Sequence, residues 1–233
     1  MATPARAAGR LRTSRANSAE GLLAIVCSAI YLATLPWHPY PGSAIIKGVS
    51  IALLAWIAFR AHAILLAAAL ALSAAGDVLL DIDPQNLFVF GLASFLLAHL
   101  TYTVLFVRGR ARPVKVAAGQ LSLIVLLLIY TAAFAAWLIP SLGRLALPVV
   151  LYMCAITAMV MSAILARFAS GWVVAGAILF LISDSILAVD KFKTPAPLRD
   201  YLIWITYYAG QYGIAMGYLA AASVPGRKNI VLR

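Results

Sequence analysis

The chain has 233 residues, of which 64% are hydrophobic and 11% charged, with a mean hydropathy of +0.99. A water-soluble globule of this size would carry far more charged surface, so the composition excludes one and indicates a polytopic membrane protein. The net charge of +11 does not imply a nucleic-acid partner, because the basic residues sit at the ends of apolar runs, where they set membrane orientation.

Residues 1–19 hold four arginines and read as a basic, disordered cytoplasmic tail able to touch anionic lipid. The apolar run that follows has no small-residue cleavage site after it, so no cleavable signal peptide is expected. Eight apolar segments come next, at about 20–36, 43–59, 63–80, 87–107, 118–138, 145–166, 171–189 and 201–222. Each is long enough for a helix to cross a hydrocarbon core about 30 Å thick. Continuous apolar runs at that depth argue for helices, which satisfy their own backbone. The expected fold is therefore all-α: one transmembrane domain over 20–222 with eight helices, followed by a basic cytoplasmic tail at 223–233. Short connections predict that helices adjacent in sequence pack together. Cys27 and Cys154 lie in apolar segments and read as small packing residues.

Orientation follows from the Lys/Arg count. Thirteen basic residues fall on one side of the eight segments: four in the N-terminal tail, Arg60, four in 108–115, Arg167 and three in the C-terminal tail. Arg144, Lys191, Lys193 and Arg199 fall on the other. That bias puts both termini in the cytoplasm. The expected location is the inner membrane of a bacterial cell, crossed several times.

Two aspartates lie inside the apolar runs, Asp77 in LSAAGDVLL and Asp184 in LFLISDSILA. A carboxylate at membrane depth costs roughly 2.5–3.5 kcal/mol or more, so such a residue marks a functional site. Aligning Asp77 with Asp184 also aligns Asp83 with Asp190, which suggests two parallel four-helix repeats, each supplying one acid. Lys47, Asp81, His99, Tyr102, Ser183, Tyr207 and Gln211 fall where they can join the two aspartates in a shared polar cavity. Lys47 reads either as a member of that cavity or as a snorkelling side chain. Asp81 reads either as a site residue or as a water-facing one, and His99 as a site residue or a hydrogen-bonded core histidine. No HxxxH or HxxE spacing gathers metal ligands, so no metal site is expected. No Gly-rich phosphate loop or nucleophile elbow is present.

The sequence resembles the YhhN family, which includes the vertebrate transmembrane lysoplasmalogenases. The matching pieces are the lysine of IIKGVS, GDVLL, GLASFLLAHLTYTVLF, LPVVLYMCAITAMV, LFLISDSILAVDKF and YYAGQYGI, spread over about residues 45–215. The combination of GD, G-x-x-x-F-x-x-AH-x-x-Y and F-x-x-SD-x-x-LA is more specific than any one fragment. The family often has Lys-Pro where this chain has Lys47-Gly48. The resemblance implies an eight-helix membrane enzyme that hydrolyses the vinyl ether bond of lysoplasmalogens, with a lysophospholipid substrate and no cofactor.

That chemistry needs an acid to protonate the vinyl carbon, a carboxylate to face the oxocarbenium ion and a base to orient water. Asp77 and Asp184 are the expected catalytic pair, since two buried carboxylates in unequal environments divide such roles. The competing reading is a small proton-coupled lipid or solute transporter built on the same Asp and Lys residues.

Overall fold

The computed structural model describes residues 4–109, 116–166, 171–195 and 197–222, with backbone alone over 4–18. Eight helices account for nearly all of it, and no strand occurs among the described residues. They are α1 (Pro4–Thr34), α2 (Ser43–Arg60), α3 (Ile64–Ile82), α4 (Phe88–Arg108), α5 (Ala118–Leu138), α6 (Ala146–Leu165), α7 (Trp172–Phe192) and α8 (Arg199–Ala222). From α2 onward the bounds lie within a few residues of the apolar segments. α1 starts earlier, at Pro4, so helix runs through the stretch expected as a tail; its span-like part is Ala19–Trp37. The expected C-terminal tail lies outside the described residues, as do Arg110, Arg112, Lys115 and Arg167.

Seven helices, α1 to α7, are long and apolar enough to cross a membrane, rather than the eight expected. The protein is a multi-pass membrane protein. α8 has 24 residues, ample length for a crossing, but its sequence is diluted by Tyr, Gly and Gln. Several of those residues turn inward: Tyr207, Gly210, Gln211, Gly213 and Gly217 are buried.

The helices pack in the order α1, α2, α3, α4, α6, α7, α8, and α8 returns to touch α1 and α2. α5 breaks the expectation that sequence neighbours are spatial neighbours. It leans on the outside of α6, and α6 takes its place beside α4. The cause is visible in its composition. LSLIVLLLIYTAAFAAWL is bulky and apolar on every side, and of its residues only Leu127 and Leu138 are buried. Such a helix gains nothing by leaving lipid.

Glycines bring the other helices close. A Cβ at Gly176 would stand 2.6 Å from the Gly210 carbonyl oxygen, and one at Gly210 would stand 2.8 Å from the Gly176 carbonyl oxygen. α7 and α8 therefore meet backbone to backbone, the approach that small residues permit inside membranes. Gly48 makes room on α2 for a side chain of α3: a Cβ there would meet the Val78 Cγ2 methyl at 2.6 Å. At Gly76 a Cβ would meet the Phe95 ring at 2.6 Å, which fixes that ring against α3.

The turn between α3 and α4 is built by Asp83. Its carboxylate accepts the backbone N–H groups of Gln85 (3.1 Å) and Asn86 (2.9 Å) and the Asn86 side-chain amide (2.8 Å). Those bonds, led by the Asn86 backbone N–H, hold its pKa below the usual carboxylate range.

Candidate active site

Three polar clusters lie inside the bundle, and each is organised by one aspartate. Asp81 ends α3. Its side chain is only 2% exposed, so it does not face water. It accepts hydrogen bonds from Ser43 Oγ (2.6 Å) and Tyr31 OH (3.0 Å), and it pairs with His38 Nε2 (3.1 Å) and Lys47 Nζ (3.5 Å). Lys47 also sits 5.7 Å from the Tyr31 ring centroid. Lys47 thus points to a carboxylate rather than to the surface, but its partner is Asp81. A buried carboxylate persists only when paired and hydrogen-bonded in this way.

Asp77 lies one turn back along α3 and is 3% exposed. The Tyr207 hydroxyl of α8 donates to its Oδ2 at 2.6 Å. One turn further along α8, Gln211 Oε1 accepts the Tyr102 hydroxyl at 2.7 Å, tying α4 to α8. Tyr207 and Gln211 share a face because they are four residues apart on a helix.

Asp184 heads the third cluster. The Tyr152 hydroxyl of α6 donates to its Oδ2 at 2.5 Å. His99 Nε2 lies 2.8 Å from the Tyr152 oxygen and 3.4 Å from Asp184 Oδ2. Because the Tyr152 proton is directed at Asp184, Nε2–H is the donor to the Tyr152 oxygen, which leaves Nδ1 facing the Met159 sulfur at 3.4 Å. The result is a chain of aligned donors from a fully buried imidazole, through a phenol, to a carboxylate.

Asp184 and Tyr152 lie on the wall of an apolar cavity. It occupies the space that opens because α5 stands off from the ring. Phe134 of α5, Met153 of α6, Leu181 of α7 and Phe95 of α4 supply apolar walls, and Lys191 lies on its lining as well. Tyr130 of α5 reaches across to Ser185 of α7, with a 2.8 Å hydrogen bond. The apolar walls and the few convergent polar groups are those of a site for an amphiphilic molecule.

Asp77 does not line this cavity, although Leu80, one turn on, does. The aromatic rings of Phe95 and Phe180 stand between the two clusters. Phe180 packs on His99 (4.8 Å between centroids) on one side and on Tyr207 (5.1 Å) on the other, and Phe95 packs on Tyr207 (5.9 Å). The single shared cavity expected for Asp77 and Asp184 is therefore divided into two networks placed back to back. Ser183 takes part in neither: its hydroxyl donates to the Ile203 carbonyl at 2.9 Å and fastens α7 to α8.

Sequence reasoning passed over Tyr152, Tyr31, His38 and Ser43. Tyr152 carried one available signal, a phenol in the middle of an otherwise apolar helix, since a buried hydroxyl must find a partner.

The YhhN family profile matches residues 42–218, most of the chain. The chain belongs to the YhhN family. The match runs from the start of α2 into α8 and includes every residue of the three clusters except Tyr31 and His38. A Mycobacterium bovis protein named lysoplasmalogenase is 36% identical over 162 residues, which cover 67% of this chain and 61% of that protein. The human protein named lysoplasmalogenase TMEM86B is 34% identical over 156 residues, covering 66% of this chain and 63% of its own length. The cattle protein named lysoplasmalogenase TMEM86A is 35% identical over 156 residues, covering 63% and 62%. The aligned part thus spans about three-fifths of these relatives. No solved structure matches the chain.

Proposed function

We propose that this YhhN-family protein is an integral membrane hydrolase that cleaves the vinyl ether bond of lysoplasmalogens, releasing a fatty aldehyde and a glycerophospho-base. The observation that carries the reading is a carboxylate, with its own donor chain, on the wall of an apolar cavity within the membrane-spanning bundle. The names of the relatives point the same way. They lend no support to the transporter reading.

In this mechanism Asp184, in its acid form, gives its proton to the vinyl carbon remote from oxygen, and the C=C electron pair forms the new C–H bond. The adjacent carbon becomes an oxocarbenium ion, stabilised by the carboxylate left behind. A water molecule adds to that carbon while the carboxylate takes up its proton. The hemiacetal then breaks its C–O bond to the glycerol, giving aldehyde and alcohol. Tyr152, which itself accepts from His99, orients the carboxyl towards the substrate. Asp77 stands behind Phe95 as a second carboxyl, and in its ionised form it favours the cationic intermediate. Lys47 pairs with the neighbouring Asp81, and Tyr102, Tyr207 and Gln211 fix α8 against α3 and α4. The reaction as written uses no cofactor.

The basic-residue bias supports a topology with both termini in the cytoplasm. The direct test is aldehyde release from a lysoplasmenyl lipid by the detergent-purified protein. Time-dependent aldehyde above a heat-treated control supports the reading, and proton-coupled uptake into liposomes without aldehyde release overturns it.

A further inference from the structure

Resting on that proposed substrate, we infer that Lys191 is the phosphate-binding residue of the cavity and selects a lysophospholipid over an uncharged ether lipid. Lys191 lies seven residues after Asp184 on α7, two helical turns along nearly the same face, and both residues line the cavity. The two Cα atoms are therefore about 10 Å apart along the axis, at about 1.5 Å per residue. In a lysoplasmalogen, seven bonds separate the carbon to be protonated from the phosphorus. An extended chain advances about 1.2 Å per bond, so that separation is roughly 8–9 Å. With the vinyl carbon against Asp184, the phosphate reaches the Lys191 ammonium while the alkyl chain remains among the apolar walls.

The ammonium is also available. It donates to the Pro84 carbonyl at 3.0 Å and stands 4.7 Å from the centroid of Phe88, another residue of the cavity wall. Among the described residues it forms no ion pair with a carboxylate. The adjacent Asp190 is paired instead with Arg199 at 2.9 Å. Lys191 is exposed, whereas Asp184 lies deeper at 13% side-chain exposure. The order along the cavity is an accessible cation, then a carboxylate, with apolar walls around both. This fits a single-chain lipid whose anionic head stays near the mouth. The hydrogen bond to Pro84 and the contact with the Phe88 ring hold the lysine in place without a carboxylate to neutralise its charge.

The test is equilibrium binding to purified protein of two probes that cannot be hydrolysed at a vinyl ether: a saturated 1-O-alkyl lysophospholipid, and the 1-O-alkylglycerol of the same chain length without phosphate. The wild-type protein is expected to bind the phospholipid about tenfold or more tightly than the alkylglycerol, the size of one charge-assisted hydrogen bond. Lys191→Gln keeps a donor for Pro84 but carries no charge; it should erase that preference while leaving alkylglycerol binding unchanged. Lys191→Arg should restore the preference. The inference is overturned by a wild-type protein without preference, by a Gln variant that retains it, or by a Gln variant that loses affinity for both probes equally. Because neither probe has a vinyl ether, an absence of aldehyde release would contradict the proposed reaction without altering these outcomes.

Discussion

Tyr152→Phe is the sharpest single-atom perturbation of the proposed site. It removes one hydroxyl that donates to Asp184 at 2.5 Å and lies 2.8 Å from His99 Nε2. The ring, its edge contact with His99 (5.1 Å between centroids) and its place in the cavity wall all remain. Two effects follow. Leaving partly buried polar groups without a partner costs about 1–3 kcal/mol of stability. Losing the hydroxyl that orients the acid weakens general acid catalysis, typically worth about 10²–10⁴ in rate. The variant should therefore elute as folded protein and lose at least about 100-fold in kcat for aldehyde release. Its KM should change much less, because the cavity keeps its shape. Tyr207→Phe is the matched control: it deletes an equivalent hydroxyl, bonded to Asp77 at 2.6 Å, on the far side of Phe95. Its stability cost should be similar and its loss of kcat clearly smaller. Turnover of Tyr152→Phe within about threefold of wild type, or an equal loss in both variants, would refute the assignment of the donor chain, since a role in orienting the acid predicts the larger factor.

The packing of α7 on α8 predicts that Gly176→Ala destabilises the protein by about 1–3 kcal/mol, because the new methyl would sit 2.6 Å from a backbone oxygen that cannot rotate away. Gly119→Ala, where a Cβ meets nothing within 4 Å, should be neutral or slightly stabilising in the same thermal unfolding assay. The basic-residue bias predicts that reporters fused at residues 40 and 233 report opposite sides of the membrane; the same side for both would contradict the topology.

The helices were legible because length and apolarity decide membrane spans almost independently of tertiary context. The segments at 43–59 and 87–107, for instance, became Ser43–Arg60 and Phe88–Arg108. The position of α5 was not legible. Every face of that helix is apolar, so nothing in its residues says which face meets protein, and the gap it leaves became the cavity. Asp77 and Asp184 stood out because a charge in an apolar run is expensive. Their separation depends on helix rotation: Phe95 and Phe180 must turn their rings between them, and depth along a helix carries no information about that. Lys47 pairs with Asp81 rather than Asp77; the two acids are one turn apart on one face, and only side-chain geometry distinguishes them. Tyr152 was overlooked because no charge marked it. Ser183 was included for its neighbour, and its bond to the Ile203 carbonyl shows it to be a helix fastener.

The division into two networks also separates the consequences of changing each aspartate. Asp184 faces the cavity, whereas Asp77 acts across an aromatic layer in the proposed mechanism. Asn keeps the size of either side chain but neither donates an acid proton nor carries a charge, so the two substitutions probe the chemistry rather than the packing. The most direct measurement is aldehyde release from lysoplasmenyl lipid by monodisperse, purified Asp184→Asn and Asp77→Asn proteins. The account predicts a fall of about 10⁴ or more for Asp184→Asn, which combines the loss of general acid and of electrostatic stabilisation, and a fall of about 10² for Asp77→Asn. Near wild-type turnover by Asp184→Asn would contradict the central claim that its carboxyl carries the proton to the vinyl ether.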